Sequence, residues 1–179
     1  MNKKEQHNIQ SKLNEPSLGE IEACSFNPVI PKKPEVLILG TMPGKKSLEL
    51  QQYYGHKQNA FWKIIYQLFN GELEEDYQKR IFFAKSKHVA IWDNCKFAER
   101  KSSLDSDIKN EIPNPINQLL VENPTIKKVG FNGKKSEKLY TKYFEPIKGV
   151  EYLTLLSTSP ANARFTFEEK LDNWKQIKG

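Results

Sequence analysis

Apolar residues along this chain fall into two patterns, short unbroken runs and longer stretches at helical spacing, and the two alternate. The run "EVLILG", residues 35–40, is bounded by Pro34 and Gly40 and is rich in branched side chains, which reads as a strand buried on both faces. "HVAIWD" (88–93), "IKKVGFN" (126–132) and "EYLTLLS" (151–157) read the same way, the last least cleanly. Helical spacing links Phe61, Ile64, Ile65 and Leu68 in a helix expected from Ala60, and recurs over 77–87, 116–121, 136–144 and 168–177. Strand followed by helix, repeated, predicts an α/β fold with a mainly parallel central sheet of about four strands and helices on both faces. Residues 1–34 are polar and end in "NPVIPKKPE", whose three prolines predict an extended lead-in. The expected division is a polar lead-in over 1–25 and a single domain over 26–179.

Composition narrows the class. The chain has 28 Lys+Arg against 22 Asp+Glu, a formal charge of +6, which favours an anionic partner such as nucleic acid. Only Cys24 and Cys95 are present, so neither a four-thiolate zinc site nor an iron–sulfur cluster can be assembled, and a reducing cytoplasmic compartment is expected. No apolar run approaches ~18 residues, so no membrane association is expected. His7, His56 and His88 show no ligand spacing, and no metal or other cofactor is expected.

In a parallel sheet with helices on both faces, ligands bind beyond the carboxyl ends of the strands. Here those ends read "GTMPGKKS", "DNCKFAERKSSLDS", "NGKK" and "STSPANARF", a set of turn-formers, hydroxyls, amides and cations. Such a crevice suits a reaction carried by positioning and electrostatics, with water held by amides and hydroxyls as nucleophile. The first loop superficially suggests a phosphate cradle. Gly40 and Gly44, however, enclose only three residues, Lys46 intervenes before Ser47, and Pro43 removes a backbone N–H where phosphate would need a donor.

Two long segments, "LILGTMPGKKSLELQQYYGHKQNAFW" and "LLSTSPANA", together with "VAIWD", "SLDSDI" and "FNG", resemble the uracil-DNA glycosylase superfamily, and within it the hypoxanthine (DNA-deoxyinosine) glycosylase branch. The resemblance implies a three-layer α/β/α sandwich, in agreement with the pattern above, and a base-excision enzyme acting as a monomer on double-stranded DNA that contains a deaminated base. Hypoxanthine in deoxyinosine is the implied substrate. A mismatch-type uracil glycosylase and a non-catalytic DNA-binding relative are the alternatives.

Mismatch-specific uracil and thymine glycosylases carry G-x-N-P-G in the first segment, and its Asn positions the attacking water; here Met42 stands in that place. By resemblance to the hypoxanthine branch, catalysis passes to Asn59, seventeen positions further on, although Asn59 is equally suited to cap the helix that follows it. Tyr54 is implied to stack on the flipped base, unless it and Tyr53 are both core aromatics. The backbone around Gly40, Thr41, Met42 and Pro43 is expected to bind a base carbonyl and wall the pocket. Asp93 is either a base-edge or water-orienting group or a turn residue, and Asn132 either a base contact or half of an Asn-Gly turn. Ser157, Thr158, Ser159 and Arg164 are expected at flanking phosphates, with Pro160, Ala161 and Asn162 entering the gap left in the base stack. Lys45, Lys46, Lys134 and Lys135 extend a basic rim or are solvated surface.

Overall fold

The computed structural model describes residues 21–100 and 109–178. Four strands, β2 (Val36–Gly40), β3 (Val89–Asp93), β6 (Lys128–Asn132) and β7 (Glu151–Leu155), form one parallel sheet in the order β3-β2-β6-β7. These are the four runs read from the pattern. Leu37, Ile38, Leu39, Val89, Ala90 and Ile91 are wholly buried. Successive strand residues point to opposite faces, so burial of all six means that both faces of the sheet are covered. The fold is α/β, with this sheet flanked by helices.

Five helices fall where the spacing places them. They are α2 (Phe61–Leu68), α3 (Tyr77–Ser86), α4 (Ile116–Glu122), α5 (Lys134–Tyr143) and α6 (Phe167–Trp174), the last continued by a 3-10 turn over Lys175–Ile177. Helix α2 buries Phe61, Ile64, Ile65 and Leu68 and leaves Lys63 and Gln67 exposed, the one-sided stripe its spacing demands. Helix α6 starts from a capping box in which Thr166 Oγ1 accepts from the Glu169 N–H and Glu169 Oε2 from the Thr166 N–H. α2 and α6 pack on each other, and wholly buried Trp174 meets Phe61 edge-on.

Three differences from the pattern stand out. A short helix, α1 (Lys45–Leu50), follows the first strand, and its N-terminus at Gly44 has no side-chain cap to betray it. Helix α5 starts at Lys134, two residues ahead of the expected start, because Gly133 turns the chain directly out of β6. A second, antiparallel sheet is formed by β1 (Ile21–Cys24), β4 (Cys95–Arg100) and β5 (Lys109–Pro113), in the order β1-β4-β5. It recruits residues of the expected lead-in and of the loop expected after β3. Its alternation is broken by register shifts on either side of Phe97, which hid it from a period-2 reading. The proline-rich segment forms no helix, bends at Lys32–Lys33, and meets the sheet where Val29 exchanges 2.9 Å hydrogen bonds with Ile91 at the edge of β3. The segment "SLDSDI" lies outside the described residues. Among the described residues, no helix is long and apolar enough to cross a membrane.

Candidate active site at the carboxyl ends of the strands

The chain passes from β2 to β3 on one side and then crosses to β6 on the other, so loops leaving β2 and β6 diverge. A crevice opens at such a switch point. Here it measures about 750 Å3 and is lined by Gly40, Thr41, Met42, Pro43, Tyr54, Asn59, Asp93, Asn132, every residue of 157–162, and Arg164. All the residues singled out from sequence therefore converge on one space. Five Lys or Arg side chains line it against a single carboxylate, that of Asp93. Among the described residues, no group of three His, Cys, Asp or Glu is placed to hold a metal ion.

Asn59 is oriented by the start of α2. Its Oδ1 accepts the Phe61 N–H at 3.0 Å, and because that partner can only donate, the amide orientation is fixed by chemistry. The Nδ2 group makes no hydrogen bond among the described residues, and the residue lines the crevice. The N-cap position of α2 is Ala60, one residue after Asn59, so Asn59 holds the first N–H of the helix from just outside it while lining the crevice. The Asn59 N–H is in turn held by the His56 carbonyl at 2.8 Å, and the Ala60 N–H by the Thr158 carbonyl at 3.0 Å.

Tyr53 and Tyr54 divide as their exposure dictates. Tyr53 is buried, its hydroxyl donates to the Phe26 and Asn27 carbonyls, and burial, reinforced by the Asp93 charge, pushes its phenol far above the usual range. Tyr54 is half-buried at a left-handed φ of 54°, a conformation costly for a bulky side chain and one that marks functional sites. Its ring stacks on Phe61 with centroids 3.7 Å apart and planes 19° from parallel. One face is backed by the core, and the residue lines the crevice.

Gly40 ends β2 against the Asp93 carboxylate. A Cβ at position 40 would collide with Asp93 Oδ1 and would lie 3.4 Å from the Tyr54 hydroxyl. Glycine here is what lets a buried acid sit beneath the crevice floor. Behind it, Asn94 Nδ2 donates to the Gly40 carbonyl at 3.0 Å and to Ser136 Oγ at 2.8 Å, and Ser136 Oγ donates to the Leu39 carbonyl at 2.6 Å. Met42 is 6% exposed and packs with Ala23, Cys95, Ala98 and Leu139, so it fills a small core between the antiparallel sheet and α5 as well as walling the crevice.

Asn132 and Thr158 hold each other. Asn132 Nδ2 donates to Thr158 Oγ1 and the Thr158 N–H donates to Asn132 Oδ1, both at 2.9 Å. This reciprocal pair of hydrogen bonds ties the end of β6 to the 157–162 loop, and both residues also line the crevice. Thr158 is 1% exposed, so it sits at the base of that loop. Gly133 completes the turn at φ 98°, where an added Cβ would come within 3.0 Å of Ser157 Cβ.

The rest of the 157–162 loop is tied to itself. Ser159 N–H donates to Ser157 Oγ, Ala161 N–H to Ser159 Oγ, and Asn162 Nδ2 to the Ser157 carbonyl at 3.0 Å. Asn162 therefore braces the loop, while Ala161 stands exposed and Pro160 half-buried. Helix α6 anchors the loop's origin, since Trp174 Nε1 donates to the Leu156 carbonyl at 2.8 Å and Asn173 Oδ1 accepts the Leu156 N–H at 2.7 Å. Arg164 is exposed, its guanidinium 4.5 Å from the Phe165 ring centroid.

The uracil DNA glycosylase superfamily model matches residues 28–178. The chain belongs to this superfamily. It is 37% identical over 155 residues to a hypoxanthine DNA glycosylase of Methanosarcina barkeri (strain Fusaro / DSM 804), covering 84% of this chain and 94% of the relative. It is 32% identical over 156 residues to a hypoxanthine DNA glycosylase of Methanosarcina acetivorans, covering 85% and 95%. It also superposes, with a TM-score of 0.73 and 29% identity, on the solution NMR structure of a candidate uracil DNA glycosylase of Methanosarcina acetivorans, covering 89% of this chain and all of that one.

In this superfamily member the sequence left several site features unread. Asn94 and Ser136 fasten the first loop from behind, and His56 lines the crevice beside Asn59. Their only signal is position just after a strand or within a quoted motif, and neither reveals a tertiary hydrogen bond.

Proposed function

We propose that this chain hydrolyses the N-glycosidic bond of deoxyinosine in double-stranded DNA, releasing hypoxanthine as a monofunctional glycosylase acting as a single chain. The broader class rests on family membership: superfamily and relatives alike are DNA repair glycosylases of deaminated bases. The observation that supports the finer reading is Asn59, whose Oδ1 is held by the Phe61 N–H while its Nδ2 is unengaged, in a residue that lines a crevice formed by both family segments.

The substrate base is inaccessible inside a duplex and has to be extruded into a pocket. The Tyr54 ring, backed by Phe61, supports a stacking surface for it, and about 750 Å3 lies within the ~300–1,000 Å3 typical of small-molecule sites. Cleavage builds positive charge on the sugar and negative charge on the departing base. The Asn59 amide either orients the attacking water through the second lone pair of Oδ1 or donates from Nδ2 to the departing base, while backbone N–H groups around Thr41 and Met42 bind a base carbonyl. Asp93, packed against Gly40 and lining the same crevice, is in reach of the base edge or of the attacking water. Neither role demands a strong base. Arg164 and the exposed lysines at the rim supply phosphate contacts. Both cysteines are free thiols, which supports a reducing cytoplasmic setting.

The test is release of free base from duplexes bearing a single deoxyinosine or deoxyuridine, with the wild type and Asn59→Ala compared. Hypoxanthine release by the wild type, reduced about 10²–10³-fold in a variant with unchanged unfolding, is the expected result. Release of uracil alone would replace the substrate, and full activity of the variant would remove Asn59 from the chemistry.

A further inference from the structure

The chemistry proposed at the crevice leaves a second cavity unused. It holds about 660 Å3 between α2 and α6, and its walls include Gln58, Lys63, Tyr66, Gln67, Phe167 and Lys170. The segment leading into α2 separates it from the crevice: Gln58 and Ala60 line the second cavity, while Asn59 between them lines the first. The two openings are one residue apart along the chain.

The second cavity has the wrong charge to be empty packing space. It is lined by two lysines and two glutamines and by no carboxylate. Lys170 is only 7% exposed, and among the described residues its ammonium makes no hydrogen bond or ion pair. Its neighbours on α6 are engaged elsewhere or turned outward, Glu169 with the Thr166 N–H and Glu168 in solvent. The stem is what is buried: the ammonium itself stays accessible and opens into the cavity, as lysine does when it packs its methylenes and keeps its charge in water. Partial burial holds Lys170 below the usual lysine range. An anion seated against Lys170 and Lys63, with the glutamine amides as further donors, would meet two cations and no carboxylate.

We infer that this cavity binds a backbone phosphodiester of the DNA strand that delivers the flipped nucleotide to the neighbouring crevice. The inference rests on the glycosylase reading for its source of phosphate and adds to it a phosphate site held by Lys170. Free phosphate is the other source of the same chemistry.

The experiment measures binding of the full chain to lesion-free duplex across a salt series, for the wild type and Lys170→Met, which keeps the apolar stem. Each phosphate contact contributes about 0.9 to the slope of log K against log salt, so the variant's slope is expected to be shallower by about that amount, with weaker binding at every concentration. Because Lys170→Met keeps the packed stem and removes only the accessible charge, it is expected to melt close to the wild-type temperature, so that a shallower slope reports the lost cation and not lost folding. Should Lys170→Met fail to fold, Lys63→Gln on the exposed side of the same cavity is expected to flatten the slope instead. An unchanged slope overturns the inference, as does a site where inorganic phosphate stabilises the wild type and not the variant while their DNA slopes coincide. The glycosylase reading fails separately, by absence of base release from a wild type that still binds duplex.

Discussion

Replacing Thr158 by Val removes one oxygen and little else, since the two side chains have nearly the same shape. The lost atom is the acceptor for Asn132 Nδ2 at 2.9 Å, in a place where Asn132 is 8% exposed and Thr158 1%. Water cannot readily take over, so a buried amide donor is left unsatisfied, at a cost of about 1–3 kcal/mol. The reciprocal bond, Thr158 N–H to Asn132 Oδ1, survives because it is made by backbone. For a domain of this size the change corresponds to a lowering of Tm by about 2–4 °C per kcal/mol. Urea unfolding followed by tryptophan fluorescence measures it directly, and the midpoint is expected to fall with the slope m unchanged. Asn132→Ala, which loses both bonds, is expected to cost more than Thr158→Val. In the double variant the valine is expected to add little to the cost of Asn132→Ala, because its partner is already gone. Additive costs, or a Thr158→Val protein within about 0.3 kcal/mol of wild type, would show that the brace is not holding the loop.

Two further outcomes follow from the geometry. Gly40→Ala drives a methyl group into Asp93 Oδ1 on the crevice floor, and overpacking of this kind costs about 1–3 kcal/mol; urea midpoints and base-release rates are both expected to drop, and a variant unchanged in both would mean the carboxylate has room to swing away. The Glu111–Lys142 pair, at 2.7 Å, holds the Glu111 carboxyl below its ordinary 4.5 through the Lys142 hydrogen bond. A depressed carboxyl pKa adds stability that is present above the unfolded value and lost as pH falls through the folded one, so below about pH 4.5 the wild type is expected to lose stability more steeply than Glu111→Gln, and parallel profiles would contradict the pairing.

The parallel sheet was legible because its physics is local. A strand buried on both faces needs an unbroken apolar run, and Val36–Gly40 and Val89–Asp93 are such runs, each ending where a glycine or an acid begins the turn. The helices were legible for the same reason, through the one-sided stripe of α2 and the Thr166–Glu169 capping box of α6. The antiparallel sheet was not, since β4 owes its existence to pairing with Ile21–Cys24, far away in sequence, and with Lys109–Pro113 through a ladder whose bulges erase the two-residue period. The site divides along the same line. Family segments and strand ends brought Asn59, Tyr54, Asp93 and the 157–162 loop to one crevice by sequence alone. That Tyr53 gives its hydroxyl to the Phe26 and Asn27 carbonyls while Tyr54 stacks on Phe61, that Asn132 is engaged by Thr158, and that the Lys170 stem is buried beside a cavity lined by no carboxylate were decided by tertiary packing. A residue's type and spacing say what it can bond to, but only the approach of distant segments determines which partner takes the bond and which group is left facing the substrate.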